Sequence, residues 1–240
     1  MSSKYIYVFD LDGTITPPRT PMTSDMVDAL NIISSENKCA IITGSDITKV
    51  KQQVPDNLLK KFVYVYCCSG NVLYENGQLV YSNKLIPNIR VKTFLDETVQ
   101  TTPYGTLTGN HIEVRPGMIN FSTVGRNANT EQRKAYSRWD ARFRERKRLV
   151  RELRYRFPDL DARIGGQISI DIFKIGHDKG QAILDIKERR KDCIIYFFGD
   201  NMGPDGNDRP AVDQLTGMDK AFDVDSIEEC LCYLKTMFSI

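Results

Sequence analysis

Two acids one residue apart, Asp10 and Asp12, stand in the run Phe9-Asp10-Leu11-Asp12-Gly13-Thr14, directly after the apolar segment 5–9. Carboxylates at the carboxyl end of a buried strand occupy the place where open α/β sheets bind ligands. Ionised and buried without a partner, each would cost on the order of several kcal/mol. A divalent cation is the natural partner, and an all-oxygen donor set favours Mg2+. Gly13 permits an unusual backbone turn, and Thr14 can hydrogen-bond a phosphate or the carboxylates. By residue type alone, the same run also fits a solvated turn at a strand end.

Other residues able to work with these acids follow further apolar runs. Ile41-Ile42-Thr43-Gly44-Ser45 offers a hydroxyl and backbone amides, groups that hold an anion at a helix start, although a plain helix cap would use the same residues. Gly176-His177-Asp178-Lys179 supplies a lysine, and Tyr196-Phe197-Phe198-Gly199-Asp200, with Asp208 beyond it, supplies two more acids. A structural zinc site is disfavoured, because the six cysteines show no Cys-x-x-Cys spacing and His111 and His177 are the only imidazoles.

A parallel sheet is what would bring these residues together. Segments 5–9, 39–43, 62–67 and 194–198 are continuous apolar and β-branched runs bounded by polar or glycine turns, the pattern of strands buried on both faces. A helix is expected over 24–36, with Met26, Val27, Leu30 and Ile33 at helical spacing and Thr23 or Ser24 as cap; it joins the first two strands into a βαβ unit. Beyond about residue 81 the character changes. Helix 91–99, strands 111–115, 118–122 and 167–173, and one long helix from 130 to about 157 are expected there, the last with Tyr136, Trp139, Phe143, Val150, Leu153 and Phe157 on one face. The fold class is therefore α/β, a Rossmann-like parallel-sheet core domain of 1–80 and 175–240 with an inserted α+β domain at 81–174.

Composition narrows the partners. A hydrophobic fraction of 41% and a charged fraction of 27% over 240 residues are those of an ordinary globular protein. The long helix is crowded with arginine, yet the formal net charge is only +2, and its aromatic stripe points to core or dimer contact, so no nucleic-acid partner is expected. The chain runs from Lys4 straight into segment 5–9 without a signal-like apolar region. Nor does any window reach the roughly 18 apolar residues of a membrane span. A cytoplasmic protein with no membrane partner is expected.

Asp-x-Asp-Gly-Thr after a strand resembles the first motif of the haloacid-dehalogenase superfamily of phosphotransferases. The runs ending at Ser45, Lys179 and Asp200 resemble its later motifs, in the same order. Further runs resemble the eukaryotic-type phosphomannomutases over most of the chain: Thr16-Pro17-Pro18-Arg19, Ile112-Glu113-Val114-Arg115-Pro116-Gly117-Met118-Ile119-Asn120, Gly125-Arg126, Arg133 and Gly165-Gly166-Gln167-Ile168-Ser169-Ile170-Asp171.

The resemblance implies a catalytic core and a cap, with Asp10 as nucleophile and Asp12 as general acid and base. It implies Thr43, Gly44, Ser45 and Lys179 around the transferring phosphate, and Mg2+ held by Asp10, Asp12, Asp200 and Asp208. Arg19, Arg115, Arg126 and Arg133 would hold the phosphate that does not react, and Ser169 and Asp171 the sugar hydroxyls. The implied activity interconverts mannose 6-phosphate and mannose 1-phosphate through a phospho-aspartate and a hexose 1,6-bisphosphate, which also serves as activator, and supplies GDP-mannose synthesis. A homodimer through the cap is implied as well. Several positions depart from the family pattern: its Gly-Gly-Ser-Asp is Thr43-Gly44-Ser45-Asp46 here, its Glu-Asn-Gly is Cys68-Ser69-Gly70-Asn71, the first half of the insertion is shorter, and a second cation loop after Asp208 is poorly matched around Val212 to Leu215. The first is closer to related phosphatases, which makes a sugar-phosphate phosphatase of the same superfamily the alternative activity.

Overall fold

Strands that are apolar along their whole length must be covered on both faces, and the chain meets that demand by winding helices over a mostly parallel sheet. A computed structural model describes residues 4–85 and 87–240. In chain order the elements are β1 (Tyr5–Phe9), α1 (Ser24–Glu36), β2 (Lys38–Ile42), α2 (Ile47–Gln53), α3 (Asp56–Leu59), β3 (Tyr64–Cys67), β4 (Val72–Glu75) and β5 (Gln78–Ser82). There follow α4 (Ile89–Thr101), β6 (Ile112–Arg115), β7 (Met118–Phe121), α5 (Thr130–Phe143), α6 (Glu145–Arg156), β8 (Leu160–Gly165) and β9 (Ser169–Lys174). The chain ends with α7 (Lys179–Arg189), β10 (Ile194–Gly199), α8 (Arg209–Asp213), β11 (Lys220–Asp223) and α9 (Ile227–Phe238).

The seven-stranded sheet has the order β11-β10-β1-β2-β3-β4-β5. Its first five strands are parallel and the β4–β5 hairpin runs antiparallel at one edge. Alternation along β1 sends Tyr7 and Phe9 into a core with Met26, Leu30 and Ile33 of α1 and Leu234 of α9. Ile6 and Val8 enter a second core with Ala182, Ile183 and Ile186 of α7. Each large apolar side chain so buried contributes about 1.5–3 kcal/mol. Because β10, β1 and β2 are neighbours running the same way, the residues that follow them, Asp200, Asp10 and Thr43, emerge side by side at one edge.

The chain leaves this sheet after Ser82 and builds a four-stranded antiparallel sheet, β6-β7-β9-β8. Helices α4 and α6 cover one of its faces through Val91, Phe94, Leu95, Leu149, Val150 and Leu153. The opposite face carries Asn120 and Asp171, paired across β7 and β9, toward the core sheet.

One expected element is corrected. The long helix over 130–157 is two helices, broken at Arg144, which adopts the left-handed conformation with φ 55°. Buried charge dictates the break. Asp140 turns back to accept hydrogen bonds from Arg146 N (2.9 Å) and Nε (2.7 Å), while Glu145 accepts from Tyr136 Oη (2.8 Å) and Thr102 Oγ1 (2.5 Å). Phe143, expected on the apolar face, is exposed instead. Among the described residues, no helix is long and apolar enough to cross a membrane.

Candidate active site

Asp10 follows β1, its amide donating to the Phe198 carbonyl at 2.9 Å, and its carboxylate is buried. Lys179, the first residue of α7, is fully buried beneath it and places Nζ 2.5 Å from Asp10 Oδ1 and 2.7 Å from Asp208 Oδ1. Carboxylate oxygens of Asp10, Asp200 and Asp208 lie within 4.8 Å of one another. The backbone is shaped for this approach: Gly13 has φ +100°, and a Cβ there would stand 2.3 Å from Asp200 Oδ2.

These carboxylates outnumber the cation between them. Burial pushes the Asp10 carboxyl well up; Lys179 opposes that, while Asp208 and Asp200 reinforce it. Loss of solvation and then the Asp208 charge raise Asp200 to about 7. Against burial, Asp10 and Asp208 hold the Lys179 ammonium above its usual range. Three convergent oxygen donors with one lysine leave surplus negative charge that a hard divalent cation would neutralise, so the donor set fits Mg2+.

Asp12, expected among the cation ligands, is not brought into that group by its carboxylate. Its oxygens are taken up elsewhere: Oδ1 accepts from Gln53 Nε2 (2.8 Å) and Arg19 N (3.1 Å), and Oδ2 from Ser45 Oγ (3.2 Å). Those bonds aim a half-buried carboxylate into the cavity beside Asp10. Around the same space, Thr43 Oγ1 accepts from Ser45 N at 3.0 Å, and Asp46 caps α2 by accepting from Lys49 N at 3.0 Å. Gly44 admits the facing sheet closely, since a Cβ there would stand 3.0 Å from Asp171 Oδ2.

The other wall is cationic. Arg115 donates to the Gly44 carbonyl (2.5 Å) and to Glu113 Oε2 (2.7 Å); Arg126 donates to Ser169 Oγ (2.7 Å) and pairs with Glu113 at 3.2 Å. Arg19 and Arg133 both donate to the Arg126 carbonyl at 3.1 Å, which gathers the guanidiniums. Burial, then the charges of Arg115 and Arg19, hold Arg126 down to about 9, and burial followed by Arg19 brings Arg133 to about 10. Guanidiniums so lowered are still charged at neutral pH. Their mutual repulsion is relieved by an anion, and the planar forks suit phosphate. Deeper still, Asp171 is raised by burial, with Arg115 and the Asn120 amide (2.6 Å) opposing the shift.

One cavity of about 80 Å3 is lined by both walls: Asp10, Asp12, Thr43, Gly44, Ser45 and Asp200 from the core, and Arg115, Arg126, Arg133, Ser169 and Asp171 across from them, with Arg19 at the rim. Lys179 and Asp208 lie beneath its floor. Residues the sequence reading did not single out also contribute. Lys49 spans the walls by pairing with Glu113 at 2.7 Å, and Gln53 holds Asp12. Asn120 belongs to the run 112–120 that resembles the family, whereas nothing in the sequence marks Lys49 or Gln53.

The family described as eukaryotic phosphomannomutase matches residues 26–238. The chain belongs to that family. Phosphomannomutase 1 of Dictyostelium discoideum is 32% identical over 241 residues, covering 97% of this chain and 96% of that protein. The phosphomannomutase of Encephalitozoon cuniculi is 35% identical over 213 residues, covering 85% and 83%. Among solved structures, a Bacteroides thetaiotaomicron phosphatase of the haloalkanoate (HAD) superfamily superposes with a TM-score of 0.59 at 14% identity, covering 98% of this chain and 96% of that one. This phosphomannomutase-family chain thus has a haloacid-dehalogenase-type core with an inserted α+β cap, and it is an enzyme of the phosphotransferase and isomerase class.

Proposed function

We propose that the chain interconverts mannose 6-phosphate and mannose 1-phosphate by way of a phospho-aspartate at Asp10, supplying GDP-mannose synthesis. The observation that carries this reading is the pairing of two unlike ends in one cavity, acids with Lys179 at one and the arginines at the other. A monophosphate transferred at one end needs a single anion site. A sugar that carries phosphate at alternate ends needs a second, and the cap arginines supply it.

In this reading residues 1–80 and 175–240 form the catalytic core, and 81–174 the cap that sets specificity and forms a homodimer. A hexose 1,6-bisphosphate primes Asp10. The free sugar hydroxyl attacks the phosphoryl group while Asp12, held by Gln53 and Ser45, takes its proton. The resulting bisphosphate turns end for end and returns its other phosphate to Asp10, while Arg19, Arg115, Arg126 and Arg133 hold the end that does not react. Ser169 and Asp171 bind sugar hydroxyls. Thr43, Gly44, Ser45 and Lys179 surround the moving charge. Asp10, Asp200 and Asp208 would hold Mg2+, which supplies charge neutralisation at the phosphoryl oxygens. A cytoplasmic location without membrane or nucleic-acid partners belongs to the same reading. For the nucleic-acid part, the support is that Arg146, Arg154 and Arg156 are paired with Asp140, Asp161 and Glu152.

A sugar-phosphate phosphatase is the second reading, favoured by the Thr43 hydroxyl that lines the cavity where the family pattern has glycine. The two separate when mannose 1-phosphate, Mg2+ and a trace of glucose 1,6-bisphosphate are followed by phosphorus NMR. Mannose 6-phosphate without inorganic phosphate is expected; inorganic phosphate without the isomer would establish the phosphatase.

A further inference from the structure

Between Asp200 and Asp208 the core makes a loop, and the cap lies against it. Ile164 of β8 stands opposite Gly206 as a parallel bridge. Its amide donates to the Asp205 carbonyl at 2.9 Å, and its carbonyl accepts from Asn201 Nδ2 at 2.9 Å. Arg163 of the same strand donates to the Pro204 carbonyl at 3.0 Å. The cap's outer strand therefore finds its missing backbone partners in the stretch that joins two acids of the cation set.

The loop is braced on its other side by Asp208. Asn201 N donates to Asp208 Oδ2 at 3.1 Å, and Asp208 N donates to the Asn201 carbonyl at 3.1 Å. Asn201 thus touches the cap with its side chain and Asp208 with its backbone, and it directly follows Asp200 in the chain. Ion pairs from Lys147 and Arg154 to Asp205, at 3.4 and 3.5 Å, add little because they are partly solvated. The directional backbone bonds fix the register. Withdrawal of the cap would break them and leave the loop between Asp200 and Asp208 held by its own bonds alone.

We propose that Asn201 is a positioning residue through which docking of the cap strand and binding of a divalent cation at Asp200 and Asp208 favour each other. This rests on the reading of Asp10, Asp200 and Asp208 as the cation site. Coupling of this kind is reciprocal: the cation must tighten the cap as much as the cap tightens the cation.

Hydrogen exchange of the full chain with and without Mg2+, paired with calorimetric titration of Mg2+, tests it. Mg2+ is expected to slow exchange of the Ile164 amide by about tenfold. In Asn201→Ala that slowing shrinks to under about threefold, and Mg2+ affinity falls about three- to tenfold. Arg163→Ala, altered on the cap side and touching none of the three acids, is expected to weaken Mg2+ in the same direction with an unchanged unfolding transition. Mg2+ binding to the native chain with no change at Ile164, or native affinity in both variants, would overturn the coupling and leave the cation site standing. Failure of the native chain to bind Mg2+ would overturn the cation site and the coupling with it.

Discussion

The two ends of the cavity solve opposite electrostatic problems. At the core end, Asp10, Asp200 and Asp208 crowd around Lys179, and the surplus is negative. At the cap end, Arg19, Arg115, Arg126 and Arg133 outnumber the acids that face them, Glu113 pairing with Arg115 and Arg126 and Asp171 lying deeper, and the surplus is positive. Neither arrangement is favourable alone, since buried like charges raise carboxyl groups and lower guanidiniums. The difference is what the proposed function requires: a cation with a phosphoryl group in transit would relieve one end, and a stationary phosphate the other.

Substitutions can break this comparison at either end. Asp10→Asn removes the proposed nucleophile and should lower mutase turnover by about four orders of magnitude or more, with the unfolding transition retained. Lys179→Met should follow. It leaves buried acids uncompensated, with a stability loss of about 3–5 kcal/mol in denaturant titration and an activity loss of about a hundredfold or more toward every phosphate ester. Arg126→Ala sharpens the contrast. It removes charge-assisted bonds worth about 1.5–3 kcal/mol, so kcat/KM for a sugar phosphate should fall about 10- to 150-fold. Hydrolysis of p-nitrophenyl phosphate, which has no second phosphate to hold, should change less than about threefold. The smallest effect is expected at Arg144→Gly, a cap arginine outside the cavity: unaltered kinetics, and a stability gain of up to about 1 kcal/mol from relief of its left-handed backbone.

The two ends were also unequally legible in the sequence. Core acids follow strands whose unbroken apolar runs announce burial on both faces, so the expected parallel strands lie within a few residues of β1, β2, β3 and β10. The cap hid more. Its helix over 130–157 reads as continuous because no glycine or proline marks Arg144, and the buried charges that break it, Asp140, Glu145 and Arg146, look like solvated surface. The β4–β5 hairpin was missed despite Asn76-Gly77, the turn dipeptide with both residues at positive φ. At the site, the family resemblance, not residue type alone, marks Lys179 and the arginines; Arg19, Arg115, Arg126 and Arg133 line one cavity with Asp10, and Lys179 pairs with Asp10. The placement of Asp12 away from the cation set and the roles of Gln53 and Lys49 depend on side-chain bonds between segments distant in sequence, which no local pattern encodes.

The most direct test of the two-ended account is the fate of a single phosphoryl group. The protein is incubated with Mg2+ and glucose 1,6-bisphosphate, and its peptides are weighed before and after addition of mannose 6-phosphate. The account predicts one phosphoryl group on the peptide bearing Asp10, discharged by mannose 6-phosphate into mannose 1,6-bisphosphate with no inorganic phosphate. A label elsewhere in the chain, or discharge of the Asp10 label to water despite the sugar phosphate, would contradict it.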